Sequence, residues 1–280
     1  MTPLNIAGFD HVVRAVPDLA PATAALQQLG ISATPPGLST GFSVGGPGNG
    51  VAIEFVTLAP DALDDPANAD LAGLIRAGGG MHVLGFAVDD LAPARAMFAE
   101  GGFEECEIAA PVGDVPIRAL RPLKTALGCN IRLLQYPPAV SEMRARHGAH
   151  AHGLPLKRVD HVAIVVSDLD TAQRAWTEVM GAEVTHAGQA FGMDMCMVKV
   201  GDVVIELLKP GVEGPLSDAA PGLRPTVSYQ VDDLEAVMAD VRARGFKVAE
   251  PTRSSVDNRV FTSIAPRQTA GLVFQFLQYL

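Results

Sequence analysis

Two short patterns recur in this sequence with the same neighbours. Asp-His-Val stands at Asp10, His11 and Val12 and again at Asp160, His161 and Val162, while Ile-Glu stands at Ile53-Glu54 and again at Ile205-Glu206. An imidazole and a carboxylate are suited to hold a borderline divalent metal or to move a proton. A single such residue on an apolar strand is ordinarily a satisfied core or rim group. Recurrence in equivalent places argues for more, and a carboxylate within a run as apolar as VVIELL is costly to bury unless paired or metal-bound.

Other residues invite chemistry less strongly. His147, His150 and His152 lie in a Pro/Gly-rich stretch without a neighbouring carboxylate or thiolate, which reads as solvated linker. Met193, Met195 and Met197 alternate as residues lining an apolar cavity would, and core packing explains them equally well. Arg253, Asp257, Asn258 and Arg259 precede a final strand and read as an ordinary charged loop. Cys106, Cys129 and Cys196 are odd in number and far apart, so buried thiols are expected rather than disulfides or a thiolate zinc site.

The elements that must position the His and Glu pairs form an internal repeat. Four segments, Phe9 to Gly30, Met81 to Gly102, Val159 to Gly181 and Thr226 to Gly245, share one order of apolar strand, Asp-Leu, short helix and Gly. Asp18, Asp90, Asp168 and Asp233 are expected N-caps, because their carboxylates can accept from the free amides of a first helical turn. Pro21 and Pro93 suit first turns, and Gly30, Gly102, Gly181 and Gly245 suit left-handed C-caps. Leu169, Ala172, Trp176 and Val179 give one helix an apolar face, as Leu234, Val237 and Val241 give another. Strand-like runs at 51–56, 130–136, 203–208 and 272–279 close the units.

One unit of this kind is a small curved sheet with a covering helix, and its concave face cannot be filled by its own side chains. The expected architecture is therefore α+β, with four βαβββ modules paired into two half-open eight-stranded barrels. The polar stretch PPAVSEMRARHGAHAHGLP marks the division, giving a first domain over 1–137, a linker over 138–155 and a second domain over 156–280.

With FDHVVRAVPDL in the first half and VDHVAIVVSDLDTA, VVIELLKP, YQVDDLEAV and AGLVFQFLQY in the second, the chain resembles the vicinal oxygen chelate superfamily of glyoxalases, methylmalonyl-CoA epimerases and extradiol dioxygenases. The second half looks most like the epimerases. The resemblance implies a divalent metal, with zinc, nickel, cobalt, manganese and iron all open, held by inward positions on the first and last strands. Those positions match His11, Val83, His161 and Thr226 on first strands and Glu54, Arg132, Glu206 and Gln275 on last strands. Val83 cannot ligate, and Arg132 would repel a cation.

Pairing in sequence order gathers His161, Glu206 and Gln275, with Thr226 a weak fourth, and leaves His11 and Glu54 in the first half. Pairing the first unit with the fourth gathers His11, Glu54, Thr226 and Gln275 instead, and both arrangements stay open. His82 precedes its ligand position by one residue, which strand alternation turns to the opposite face unless a bulge intervenes.

The 280 residues carry a net charge of -10 and no basic cluster, which disfavours nucleic acid and anionic lipid as partners. No run reaches the roughly 18 apolar residues of a membrane helix, and the start lacks a leader pattern, so a soluble cytoplasmic protein is expected. A small organic substrate is the expected partner, and a homodimer is compatible with the sequence.

The leading functional expectation is a metal-dependent isomerase, epimerase or lyase acting beside a carbonyl, with Glu206 and Gln275 as catalytic candidates. Gln275 can ligate but cannot take a proton, so strict epimerase activity lacks one base. The alternatives are a metal-free sequestering protein, consistent with Val83 and Arg132, and an extradiol-type dioxygenase, which would need His11, His82 and Glu54 on one face.

Overall fold

The computed structural model describes residues 2–31, 53–108, 114–138, 153–190, 192–213, 216–254 and 256–280. Most of the expected linker, with His147, His150 and His152, lies outside the described residues. The strands are β1 (Ile6–Ala15), β2 (Ile53–Val56), β3 (Gly80–Val88), β4 (Phe103–Ile108), β5 (Ile117–Pro122), β6 (Asn130–Gln135), β7 (Leu156–Val165), β8 (Glu183–Ala190), β9 (Met193–Val200), β10 (Val203–Pro210), β11 (Gly222–Val231), β12 (Thr252–Arg253), β13 (Arg259–Ile264) and β14 (Val273–Tyr279). The helices are α1 (Leu19–Gln28), α2 (Ala69–Arg76), α3 (Ala92–Phe98), α4 (Leu169–Met180) and α5 (Leu234–Ala243).

Among the described residues these strands form a six-stranded sheet in the order β2-β1-β3-β6-β5-β4 and an eight-stranded sheet in the order β12-β13-β14-β11-β7-β10-β9-β8. The α+β class is therefore as expected. The first sheet falls short of eight strands among the described residues, and 32–52 lie outside them.

Local chemistry explains the helix limits. Asp18, Asp168 and Asp233 cap their helices by accepting from the amides of Ala20, Thr171 and Ala236. Hydrogen bonds from Thr171 hold the Asp168 carboxyl below the ordinary range. Asp90 departs from the pattern: it accepts from the Ala92 amide, but the helix begins at Ala92 with Leu91 as its N-cap residue. Gly181 ends α4 with φ 66°, a left-handed conformation that only glycine adopts without strain. On α4 the buried residues are Ala172, Trp176 and Met180, so Met180 rather than Val179 continues the apolar face.

Each sheet takes its strands from one side of the expected linker, but closeness in space groups the residues differently. Two compact units emerge, one of Met1–Asp10, Val83–Glu142 and Asp160–Arg224, the other of His11–His82, Met143–Val159 and Pro225–Leu280. In the first unit, Trp176 of α4 is fully buried, donates from Nε1 to the Leu127 carbonyl at 2.9 Å and meets Phe86 of β3 edge-on at 5.9 Å. That packing joins the second and third repeats and explains why this unit crosses the expected boundary. In the second unit, Arg14 of β1 donates from Nε to the Ala270 carbonyl at 2.8 Å, and Gln28 donates to the Arg244 carbonyl at 2.8 Å. Those bonds join the first and fourth repeats.

The cysteine expectation holds in part. All three thiols are free and Cys196 is buried, whereas Cys106 is exposed because β4 shows nearly all its residues to solvent. Among the described residues no helix is long and apolar enough to cross a membrane.

Candidate functional site

The parallel pairing of first and last strands has one register in all four repeats. Val13 faces Glu54, Gly85 faces Arg132, Ala163 faces Glu206 and Ser228 faces Gln275. Two positions before each first-strand member stand His11, Val83, His161 and Thr226, and strand alternation puts residues two apart on the same face. The eight candidate positions are thus equivalent in pairs within their own repeats.

In the first unit, His161 is buried among apolar neighbours, with Val162 and Ile164 fully buried beside it on β7. Its ring lies between two carboxylates. Nδ1 is 2.9 Å from Oδ1 of the buried Asp160, and Nε2 is 3.6 Å from Oε1 of Glu206. With the proton on Nδ1 donated to Asp160, Nε2 turns its lone pair toward Glu206, and 3.6 Å is too long for a hydrogen bond. Glu206 is 14% exposed. Met197 faces it across β9 and Ala163 across β7, so apolar groups flank the carboxylate on both sides.

In the second unit, His11 Nε2 is 3.1 Å from Glu54 Oε2, with side chains 13% and 20% exposed. Also in this unit, the Ser228 hydroxyl donates to Gln275 Oε1 at 2.7 Å, so the amide carbonyl already has a partner. The sequence candidates thus assemble as two His–Glu pairs, while Gln275 and Thr226 belong to the compact unit that does not contain His161 and Glu206. Val83 is fully buried, and His82 beside it is half-buried. Among the described residues, no three His, Cys, Asp or Glu side chains gather as a metal-binding group.

Asp160 and Ser228 were the partners that sequence reasoning missed. The Asp-His dipeptide was visible, but strand alternation argues against neighbours bonding side by side, and the role of Ser228 emerges only from the β11–β14 register. Of the methionines, Met197 shares the cross-strand row of Glu206, and all three are buried. The Arg253, Asp257, Asn258 and Arg259 loop is largely paired within itself, Arg259 with Asp257 at 2.9 Å and Arg253 with Asn258 at 3.1 Å.

A divalent ion is compatible with each His–Glu pair. Imidazole and carboxylate donors lie about 2.1 Å from such an ion, which puts two ligands of one ion about 3.0 to 3.4 Å apart. The 3.1 Å separation of His11 and Glu54 lies within that range, and the 3.6 Å separation of His161 and Glu206 lies just beyond it. The carboxylate bonded to His161 Nδ1 is the outer partner that metal-binding histidines ordinarily have.

Human mitochondrial methylmalonyl-CoA epimerase is 25% identical over 132 residues, covering 44% of this chain and 74% of the human protein. The crystal structure of methylmalonyl-CoA epimerase from Mycobacterium tuberculosis is 21% identical, covering 48% of this chain and 96% of that one, with a TM-score of 0.43. The Mn(II)-bound glyoxalase from Novosphingobium aromaticivorans covers 98% of this chain and 82% of its own, with a TM-score of 0.68 and 15% identity, a likeness of fold. Residues 160–262, in the second half of the chain, match the family model described as Glyoxalase/Bleomycin resistance protein/Dioxygenase superfamily.

Proposed function

We propose that the second half is a metal-dependent enzyme of the epimerase or isomerase type, acting on the carbon next to a carbonyl of a small organic substrate. The observation that carries this reading is the His161 ring, oriented by Asp160 on one nitrogen and directed at Glu206 with the other. His161 and Glu206 would hold the ion, whose charge would stabilise the oxyanion left when a carbon acid loses its proton. Met197 and Ala163 keep the pair in an apolar setting, where charge interactions are stronger than in water. Glu206 can accept a proton, while Gln275, an amide in the other compact unit, supplies no second base here. That asymmetry favours one-sided proton transfer, as in an isomerisation, over rapid interconversion of two configurations.

The human and M. tuberculosis relatives are named for methylmalonyl-CoA, which makes that thioester the first probe. The test is proton exchange at the substrate α-carbon in D2O, followed by NMR with protein loaded with Mn(II), Co(II) or Zn(II). Exchange that requires the metal and falls at least a hundredfold in Glu206→Gln is the expected result. No exchange with methylmalonyl-CoA or with a panel of simple α-protic thioesters and ketones would overturn the reading.

A further inference from the structure

A histidine outside the repeat pattern shares the sheet face of Glu206. On the edge strand β8, the register with β9 sets Glu183 opposite Lys199 and Val184 opposite Val198, then shifts so that His186 rather than Thr185 faces Met197. Thr185 is the extra residue of a β-bulge, and its hydroxyl donates to the Met197 carbonyl at 3.2 Å. In an unbroken ladder Thr185 would stand opposite Met197, and His186 would turn to the other face opposite Cys196. The bulge therefore brings the imidazole onto the face of Met197. Glu206 of β10 faces Met197 from the other side, so one cross-strand row reads Ala163, Glu206, Met197, His186.

Neighbouring strands lie about 4.8 Å apart, which puts the β10 and β8 backbones about 10 Å apart across Met197. A small molecule laid over Met197 would meet the carboxylate at one end and the imidazole at the other. Gly188, two residues beyond His186, has no side chain to crowd the ring, and a Cβ there would lie 3.5 Å from His186 Nε2. His186 is exposed and can exchange protons with water, whereas Glu206 is 14% exposed.

We propose that His186 is the proton donor that completes the reaction begun at Glu206, and that the substrate is a β,γ-unsaturated carbonyl compound. This rests on Glu206 acting as the base at the α-carbon. Both groups rise from one face of one sheet, so they do not address opposite faces of a single carbon, as inversion requires, but they can serve two carbons of one flat anion. Glu206 takes the α-proton, the C–H electron pair spreads over the carbonyl and the C=C bond, and the His186 imidazolium gives a proton to the γ-carbon. The double bond moves from β,γ to α,β, and nothing is oxidised or reduced. Water then returns a proton to His186 and takes the one held by Glu206.

The test follows the N-acetylcysteamine thioester of 3-butenoic acid by NMR in D2O with the Mn(II)-, Co(II)- or Zn(II)-loaded full chain, beside His186→Gln and Glu206→Gln, with circular dichroism of each variant. The parent should exchange the α-protons and move the double bond, with deuterium entering the γ-carbon. Glu206→Gln should lose both, while His186→Gln should keep α-exchange and lose isomerisation about a hundredfold. As a binding readout, the imidazole signal missing from His186→Gln should shift in the Zn(II)-loaded parent when the unreactive butanoic thioester is added. Absence of α-exchange in the parent would defeat the reading on which this rests, and this proposal with it. Exchange without isomerisation in the parent, unchanged isomerisation in His186→Gln, equal loss of exchange and isomerisation in a folded His186→Gln, or an unmoved imidazole signal would overturn this proposal alone.

Discussion

His161 Nε2 faces Glu206 Oε1 at 3.6 Å while its Nδ1 is anchored 2.9 Å from Asp160, so one histidine ring connects two carboxylates in a largely buried setting. Asp160 should therefore set the ring's tautomer and orientation. Asp160→Asn keeps the size of the side chain but can present an N–H to Nδ1, which favours the proton on Nε2. Divalent-metal affinity should fall about 10- to 100-fold in this variant, with little change in circular dichroism. Titration with Mn(II), monitored by proton relaxation, measures it.

Trp176 is the largest fully buried side chain and the protein's single tryptophan. Its emission should be blue-shifted in the native protein. Trp176→Phe keeps the ring contact with Phe86 but leaves the Leu127 carbonyl without its donor, which should cost about 1 to 3 kcal/mol; Trp176→Ala should cost about 3 to 5 kcal/mol. Urea unfolding followed by circular dichroism distinguishes the two.

Gly271 has φ +87°, and a Cβ there would lie 2.0 Å from Arg14 Nη2, the guanidinium whose Nε bonds the Ala270 carbonyl. Burial lowers the pKa of this guanidinium, and the adjacent carbonyl helps offset its lost hydration. Gly271→Ala should destabilise by about 1 to 3 kcal/mol from backbone strain and displace Arg14 as well. Arg14→Met in the Gly271→Ala background should recover part of the loss if the clash is the cause, as thermal melts would show.

Thiol reactivity should separate the three cysteines. Burial pushes the Cys129 thiol up to about 12 and raises that of Cys196, whereas Cys106 lies exposed on β4. At pH 8 the thiolate fraction of both raised thiols is small. Native protein should give one rapid equivalent with a disulfide reagent and three after denaturation. Cys106→Ser should abolish the rapid phase.

The repeat was legible because each of its parts has a local cause. Asp168 and Asp233 cap helices and Gly181 closes one through their own side-chain or backbone chemistry, and His161 and Glu206 came together because the strand register is fixed by alternation. Asp90 missed its place by one residue, because helix ends shift with the backbone while the capping oxygen can still reach a nearby amide. Which repeats pack closely was not legible, since it depends on tertiary contacts such as Trp176 with Leu127 and Arg14 with Ala270, whose partners are far apart in sequence. The Ser228–Gln275 bond was hidden for the same reason.

The central claim, a metal held by His161 and Glu206, is tested most directly by metal content. Protein purified without a histidine tag, incubated with Mn(II), Co(II) or Zn(II) and freed of excess, is analysed by plasma mass spectrometry beside His161→Ala, Glu206→Gln and His11→Ala. The account predicts about one ion per chain in the parent and in His11→Ala, and loss of that ion in the other two. A parent that retains no ion, or folded His161→Ala and Glu206→Gln variants that retain it unchanged, would contradict it.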